Sequence, residues 1–275
     1  MSPLIRLAVF GSPVTHSLSP RIHALFARQC GLQVDYRAIE ATAATFAGLV
    51  RALAEQGARG CNVTVPFKQA AWVLAARGSA DAARARAANT LVFETDGAWY
   101  ADNTDGPGLV DDLAARPAGR LAGARICLLG AGGAAAGILG ALLRARPACV
   151  VIANRTPERA RHLAERHADL GRLDTCSPAE IGSKAPFEVV INAIAAGHEG
   201  LAPTLAPEWL APGGLCYDLN YGLAAEPLKK ACARLGIAYS DGLGMLVAQA
   251  ARSFQLWTGS RPDAAAALAE LRRQH

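Results

Sequence analysis

The chain uses lysine so sparingly that one of them stands apart. Of 28 basic residues only Lys68, Lys184, Lys229 and Lys230 are lysines, and Lys68 is alone in the first 183 positions. Arginine keeps its charge at every relevant pH, whereas a lysine shielded from water can release its proton. Lys68 is therefore a candidate proton donor and acceptor, with a solvated surface lysine as the alternative. It ends Asn62-Val63-Thr64-Val65-Pro66-Phe67-Lys68, one of three polar segments that interrupt apolar stretches. All three fall near the expected C-terminal edges of strands, where open α/β sheets bind ligands. In the second, residues 11–20, the hydroxyls of Ser17 and Ser19 sit just ahead of a helix start, a setting for a carboxylate. Ser19 alone would satisfy simple N-capping, which leaves Ser17 without a structural task. The third joins Ala88-Asn89-Thr90 to Ala101-Asp102-Asn103-Thr104-Asp105-Gly106, where Asp105 is also placed to cap a following helix. Asn, Thr, Asp and Lys together suit a polyhydroxylated acid. His16 and His23 lack nearby cysteine or carboxylate ligands, so no metal site is expected.

A different chemistry lies at Gly130-Ala131-Gly132-Gly133-Ala134-Ala135, which matches G-x-G-x-x-G/A between an expected strand, 126–129, and an expected helix, 132–144. Glycines there let the backbone turn tightly and approach a pyrophosphate, whose charge sits at the helix N-terminus. A plain packing turn is the alternative. Proteins that bind NAD place an acid about 20 residues on, at the end of the next strand, for the ribose 2′-hydroxyl. This strand ends Ala153-Asn154-Arg155-Thr156-Pro157-Glu158-Arg159, with no acid in that place and two arginines one helical turn apart. Arginine can stack on adenine and hold a 2′-phosphate bidentately, so the cofactor expected is NADP.

These residues need elements to hold them. Short β-branched and apolar runs at 4–10, 34–39, 60–63, 90–94 and 99–102 alternate with helix signals opening at Ser19-Pro20, Thr45 and Pro66. Thr95-Asp96-Gly97 marks a hairpin turn. Helical links between most strands predict a largely parallel sheet with right-handed crossovers. A second series follows a linker-like stretch, 117–123, with strands at 126–129, 149–153, 189–192, 215–218 and 237–240. Thr156 is expected to cap a helix to about residue 167. Helices after residue 242, the last capped near Pro262, lie beyond this series and are expected to return to the first domain. The fold class is α/β: two α/β domains flanking a cleft, the second a Rossmann-type doubly wound parallel sheet.

Composition narrows the function. With 275 residues, 52% hydrophobic and 19% charged, the chain is neither disordered nor in need of staples. A net charge of +5 without a basic cluster or aromatic platform argues against nucleic acid. Seven cysteines scattered singly, and no evident signal peptide, point to a reducing compartment, the cytoplasm. Residues 126–143 are uncharged over a span's length, but five glycines break them into a buried strand, turn and helix, so no membrane partner is expected.

The ordered motifs resemble the shikimate dehydrogenase family over almost the whole chain. Members carry G-x-P-x-x-H-S-x-S-P, matched by residues 11–20; N-V-T-x-P-x-K, matched by 62–68; and N-T-D-x-x-G, matched by 103–108. The glycine turn, Asn154-Arg155-Thr156 and Gly244-Met245-Leu246-x-x-Gln249-Ala250 fit as well. The resemblance implies NADPH-dependent, reversible reduction of 3-dehydroshikimate to shikimate, with Lys68 and Asp105 as the catalytic pair. Ser17 and Ser19 would bind the substrate carboxylate. Asn62, Thr64, Asn89, Asp105 and Gln249 would bind ring hydroxyls, with Tyr221 nearby. Gly130, Ala131, Gly132, Gly133 and Ala134 would hold the pyrophosphate. Asn154, Arg155, Thr156 and Arg159 would serve the adenosine phosphate, and Gly242 and Met245 the nicotinamide end. It also implies a substrate domain of residues 1–104 and 245–275 around an NADP domain of 105–244. Two departures stand out. The family's N-A-T-S-x-G is here Asn192-Ala193-Ile194-Ala195-Ala196-Gly197, and Leu223 replaces a customary proline. An NAD-dependent paralogue acting on quinate and a non-catalytic NADP(H)-sensing protein are the alternatives, and a homodimer is left open.

Overall fold

A computed structural model describes residues 3–94 and 97–273. The chain divides into two compact units, Met1–Gly108 with Val247–His275, and Leu109–Leu246. The first unit runs β1 (Ile5–Gly11), α1 (Ser19–Cys30), β2 (Val34–Glu40), α2 (Phe46–Glu55), β3 (Gly60–Val63) and α3 (Lys68–Leu74). It continues through β4 (Arg77–Gly78), α4 (Ala80–Ala85), β5 (Thr90–Val92), β6 (Tyr100–Asp102) and the start of α5 (Asp105–Ala114). The sheet order is β2-β1-β3-β5-β6-β4.

This sheet is parallel at three of its five pairings, β1–β2, β1–β3 and β4–β6, as expected, and the other two are those of β5. β1 is parallel to both β2 and β3, but β5 is antiparallel to β3 and to β6. The link from β5 to β6 is too short for a crossover, so the two strands must form a hairpin. Thr95 and Asp96 of its expected turn lie outside the described residues. The reversal matters for the site, because β5 begins where β3 ends. Asn62 pairs with Thr90, and Thr90 with Asp102, in one cross-strand row.

Two helix starts differ from expectation, and one expected cap does not use its side chain. Ser19 is the first residue of α1 rather than its cap, and Ser17 Oγ accepts the Ser19 N–H at 3.2 Å. Ser17 thus has the structural task that Ser19 was expected to fill. α3 opens at Lys68, because Pro66 lies in a turn closed by the Phe67 N–H on the Thr64 carbonyl at 2.9 Å. Thr156 stands at an N-cap without using its side chain.

The second unit contains β7 (Arg125–Leu129), α6 (Gly133–Arg144), β8 (Cys149–Ala153), α7 (Pro157–Glu165), β9 (Leu173–Cys176) and α8 (Ile181–Lys184). β10 (Phe187–Asn192), β11 (Leu210–Asp218), α9 (Glu226–Leu235) and β12 (Ala238–Ser240) complete it. Its sheet, β12-β11-β10-β7-β8-β9, is parallel at every pairing. Such a sheet is covered on both faces, and its strands read as continuous apolar runs. Ile126 and Leu128 pack with Ala135, Leu139 and Leu142, while Cys127, Cys149 and Val151 pack with Ile181 and Trp209 on the other face. The uncharged stretch 126–143 is therefore β7, a turn and α6, and among the described residues no helix is long and apolar enough to cross a membrane. The stretch 117–123, linker-like in sequence, lies inside this unit; Gly119 packs against the Leu113 backbone, where a Cβ has no room.

α10 (Leu243–Thr258) and α11 (Ala264–Arg273) carry the chain back to the first unit, as expected. Trp257 Nε1 donates to the Leu91 carbonyl at 2.9 Å, and Arg59 Nη1 to the Trp257 carbonyl at 3.0 Å. Gly60 permits this approach, since a Cβ there would collide with both the Leu91 carbonyl and the indole. Asp263, next to Pro262 as expected, caps α11, accepting the Ala266 N–H at 2.9 Å.

The core of this unit holds one ionisable group in an apolar cage. His23 is fully buried, stacked on Tyr36 at 4.2 Å between ring centroids, and neither ring nitrogen has a hydrogen-bond partner. Burial lowers its pKa from 6.5 to about 3, with the neighbouring Asn62 opposing in part. The unfolded chain therefore takes up a proton that the folded one refuses. Stability from this group is complete above pH 6.5 and falls as pH drops toward 3. The limiting slope is about 1.4 kcal/mol per pH unit. Urea unfolding of His23→Phe at pH 7 and pH 5 should show a smaller acid loss than the parent chain, by about 2 kcal/mol. Equal losses in the two proteins would mean that His23 is not the linked group.

Candidate active site

The site of the first unit is assembled around one amide. The Thr104 N–H can only donate, and it meets Asn89 Oδ1 at 2.9 Å, which the Thr90 hydroxyl also reaches at 3.0 Å. The opposite edge of Asn89 is therefore its NH2, which faces Asp105 Oδ1 at 2.8 Å, Thr104 Oγ1 at 2.9 Å and Gln249 Oε1 at 3.0 Å. Asp105 Oδ2 in turn takes Lys68 Nζ at 2.5 Å. The side chains are 21% exposed for Lys68 and 10% for Asp105, so the pair is sheltered yet reachable from solvent. Each carboxylate oxygen has its own donor, and the ammonium keeps two hydrogens for another partner.

A second layer supports the first. Asn62 sends its NH2 toward the Asn89 carbonyl at 3.0 Å, Thr90 Oγ1 at 3.1 Å and Ser253 Oγ at 3.1 Å. Its Oδ1 accepts the Tyr36 hydroxyl at 2.7 Å. Burial pushes the Tyr36 phenol well above its ordinary value, so the hydroxyl is a dependable donor. Ser253 lies one turn beyond Gln249 on α10, and its hydroxyl is 2.7 Å from that of Thr90. Asn62 and Asn89, 6% and 3% exposed, thus form the floor of the site rather than its rim. Gly108 lets α10 come close here, since a Cβ would press on the Gln249 backbone.

The structure brings together Lys68, Asp105, Asn62, Asn89 and Gln249 from the sequence-derived set. Thr64 is half-buried beside Gly11, where a Cβ would strike the Thr64 methyl. Ser17 is half-buried and Ser19 buried at the start of α1. Four members of the network, Tyr36, Thr90, Thr104 and Ser253, were not singled out by sequence. Thr104 sits inside the N-T-D motif, and Ser253 stands four residues after Gln249, a spacing that puts both on one helical face. Tyr36 gave no such signal.

In the second unit the glycine turn follows β7 directly. Gly130 has φ +103°, and a Cβ there would press on the Ala193 carbonyl and Ile194 at 3.2–3.3 Å. Gly132 holds the N-cap of α6 and Gly133 begins it; a Cβ at either would meet nothing, so the helix N-terminus faces open space. That geometry fits a pyrophosphate. Asn154 braces the turn, accepting the Ala131 N–H at 3.2 Å and donating to the Thr156 carbonyl at 2.8 Å. Arg155 and Arg159 are exposed next to it, with no carboxylate partner among the described residues. Ala134 lies exposed in the first turn of α6.

Tyr221, Gly242 and Met245 also belong to this unit. Tyr221 is half-buried ahead of the 3-10 turn Gly222–Ala225, and burial raises its phenol. Gly242 donates its N–H to the Asn220 carbonyl at 2.9 Å, and a Cβ would collide with the Leu219 carbonyl. Met245 packs against the core under α6.

Comparison with known proteins agrees along the chain. Residues 9–91 match the model of the shikimate dehydrogenase substrate binding domain, 112–202 that of shikimate / quinate 5-dehydrogenase, and 242–272 that of the shikimate 5′-dehydrogenase C-terminal domain. A shikimate dehydrogenase (NADP(+)) of Chromohalobacter salexigens is 50% identical over 272 residues, covering 98% of each chain. The crystal structure of shikimate dehydrogenase from Aquifex aeolicus superposes with a TM-score of 0.86 at 30% identity, over 98% of both chains. That of the Thermus thermophilus shikimate 5-dehydrogenase, in complex with NADP(H) and shikimate, gives 0.83 at 32% identity, over 98% of this chain and 99% of that one. The chain belongs to the shikimate dehydrogenase family.

Proposed function

We propose that this chain catalyses the reversible NADPH-dependent reduction of 3-dehydroshikimate to shikimate, a step toward the aromatic amino acids. The observation that carries the reading is the sheltered Lys68–Asp105 pair, oriented by Asn89; Lys68 and Asn89 lie in the segment that matches the family's substrate-binding domain. NADPH, when bound, supplies the hydride that adds to the ring carbonyl carbon.

The work of this chain is to place and protonate. Ser17 and Ser19, at the positively polarised start of α1, take the substrate carboxylate. Thr64, Gln249 and the amides of Asn62 and Asn89 offer a polar floor to ring hydroxyls, with Tyr221 as a further contact. The Lys68 ammonium uses a free hydrogen to bond the carbonyl oxygen, stabilises the charge growing there, and delivers the proton. Asp105 holds Lys68 in line and accepts from a neighbouring hydroxyl. The reverse reaction uses the same groups, with Lys68 taking the proton from the alcohol. The turn from Gly130 to Ala134, braced by Asn154, receives the pyrophosphate. Arg155, Thr156 and Arg159 receive the 2′-phosphate, and Gly242 and Met245 border the nicotinamide. All seven cysteines are free, which fits a reducing compartment, and we place the protein in the cytoplasm.

Reduction of NADP+ and of NAD+, each followed with shikimate and with quinate, tests the assignment. Turnover with shikimate and NADP+ is expected to exceed the other three pairings, and no turnover with any pair would sink the enzyme reading. Lys68→Ala should lower kcat by about 10²–10⁴-fold with the shikimate KM nearly unchanged. Near-parental turnover in that variant would remove Lys68 from the proton transfer. A charge-assisted hydrogen bond contributes about 1.5–3 kcal/mol, so Arg155→Ala or Arg159→Ala should raise the NADP+ KM by about 10–100-fold. The NAD+ KM should not move; a parallel rise for both dinucleotides would contradict a 2′-phosphate role.

A further inference from the structure

Away from the glycine turn, the second unit has a cavity of about 360 Å³ at the N-terminal ends of β7, β8 and β9. Arg125, Cys149, Arg172, Asp174 and Lys184 line it, with Val151 as its apolar wall. β7 is five residues long and the glycine turn leaves its far end, so the two places are separated by about 16 Å of strand. Nothing proposed for the dinucleotide reaches this edge of the sheet.

Its charges do not balance. Lys184 Nζ meets Asp174 Oδ2 at 2.7 Å, and that is the one carboxylate on the wall. The Arg125 guanidinium has only neutral partners: Nε donates to the Pro186 carbonyl at 3.2 Å and Nη2 to the Lys184 carbonyl at 2.5 Å, above the Phe187 ring. Glu188 meets the Arg125 backbone N–H instead of the guanidinium. Arg172 is exposed and has no side-chain partner among the described residues. The Cys149 thiol lies at the floor, 5% exposed, and Arg172, Arg125 and Lys184 all act on it against the effect of burial. Three positive charges and the one carboxylate of Asp174 thus converge on one small space, leaving two cations in excess. Crowding like charges in this way is unfavourable unless an anion joins them.

We infer that this cavity binds a small phosphomonoester, its phosphate held by Arg172, Lys184 and the free N–H groups of Arg125, and its short carbon portion laid against Val151. A phosphate dianion matches the two guanidinium charges that lack a counter-ion, and the guanidinium fork suits its oxygens. The cavity is larger than a bare phosphate, and Val151, Leu173 and Ala185 add apolar lining beside the polar groups, which calls for a few carbons rather than the ion alone. The inference is independent of the proposed reaction.

Isothermal titration with glycerol 3-phosphate, at constant ionic strength, tests it. The protein used carries Arg155→Ala and Arg159→Ala, which removes the arginines of the cofactor end, and any binding left at the glycine turn would survive Arg172→Ala. Saturable one-site binding is expected, weakened at least tenfold by adding Arg172→Ala and also weakened by Lys184→Ala. Arg172 is exposed, so its loss spares the core, and unchanged thermal unfolding will verify the variant. No saturable binding, or binding that survives Arg172→Ala, overturns the site. Inorganic phosphate binding as tightly as glycerol 3-phosphate overturns the ester assignment.

Discussion

The hydrogen bond from the Thr104 N–H to Asn89 Oδ1 sets the chemistry of the first unit. An amide side chain can be turned over at little steric cost, so its direction must be imposed by a group with no choice of role. A backbone N–H is such a group. Once Asn89 Oδ1 is spent, its NH2 must face Asp105, whose other oxygen is then left for Lys68. Reversing Asn89 would set a carbonyl oxygen against a carboxylate. The same logic recurs one layer down, where the Asn89 carbonyl accepts from Asn62 and thereby fixes which end of Asn62 meets Tyr36. Such networks are worth having only when every member is satisfied, and this one is densely bonded.

Sheet topology makes the network possible. Lys68, Asn89 and Asp105 are far apart in sequence, and a purely parallel sheet would put successive strand ends behind intervening helices. The β5–β6 hairpin instead brings the start of β5 and the end of β6 to the end of β3, so that the Asn62, Thr90 and Asp102 row lies directly beneath the loops bearing function. Gly108 and Gly60 then admit α10 closely enough for Gln249, Ser253 and Trp257 to bond into that sheet. Small residues here serve contact between backbones more than turns.

Much of this was legible in the sequence, for identifiable reasons. Strong apolar runs placed β3 and β8 to the residue, and residue scarcity drew attention to Lys68 before any motif did. Helix starts were less legible, because Ser-Pro and Thr-Pro pairs signal a start without stating which residue caps it. Ser17, not Ser19, bonds the first turn of α1. The β5–β6 hairpin was legible from its turn signal, but the antiparallel pairing of β5 with β3 was not, because a turn signal does not say which neighbour its strands will choose. β9 and α9 escaped too: Leu173-Asp174-Thr175-Cys176 is short and half polar, and α9 follows a 3-10 turn with no strong cap. In the site, the members missed were those whose neighbours are distant in sequence. Tyr36 reaches Asn62 across β1, a relation that exists only after the sheet has formed.

The departure at Ile194-Ala195 can be weighed against what holds that loop. Its backbone is tied by side chains outside the altered positions: Asn192 Oδ1 accepts the Ile194 N–H at 3.1 Å, and Asn220 Nδ2 donates to the Ile194 carbonyl at 3.1 Å. Both asparagines meet in turn on the fully buried Asp218, whose carboxyl is pushed up by burial and held back by their donors. Loop shape therefore does not depend on whether residues 194 and 195 bear hydroxyls. What the exchange alters is the surface offered beside Gly130, where Ile194 is 37% exposed. Losing a neutral hydrogen bond costs about 0.5–1.5 kcal/mol, whereas covering an exposed isoleucine returns a comparable amount. The two effects are of similar size, so an aliphatic loop is compatible with a bound dinucleotide. Under the proposed function, discrimination between dinucleotides then falls more heavily on Arg155 and Arg159.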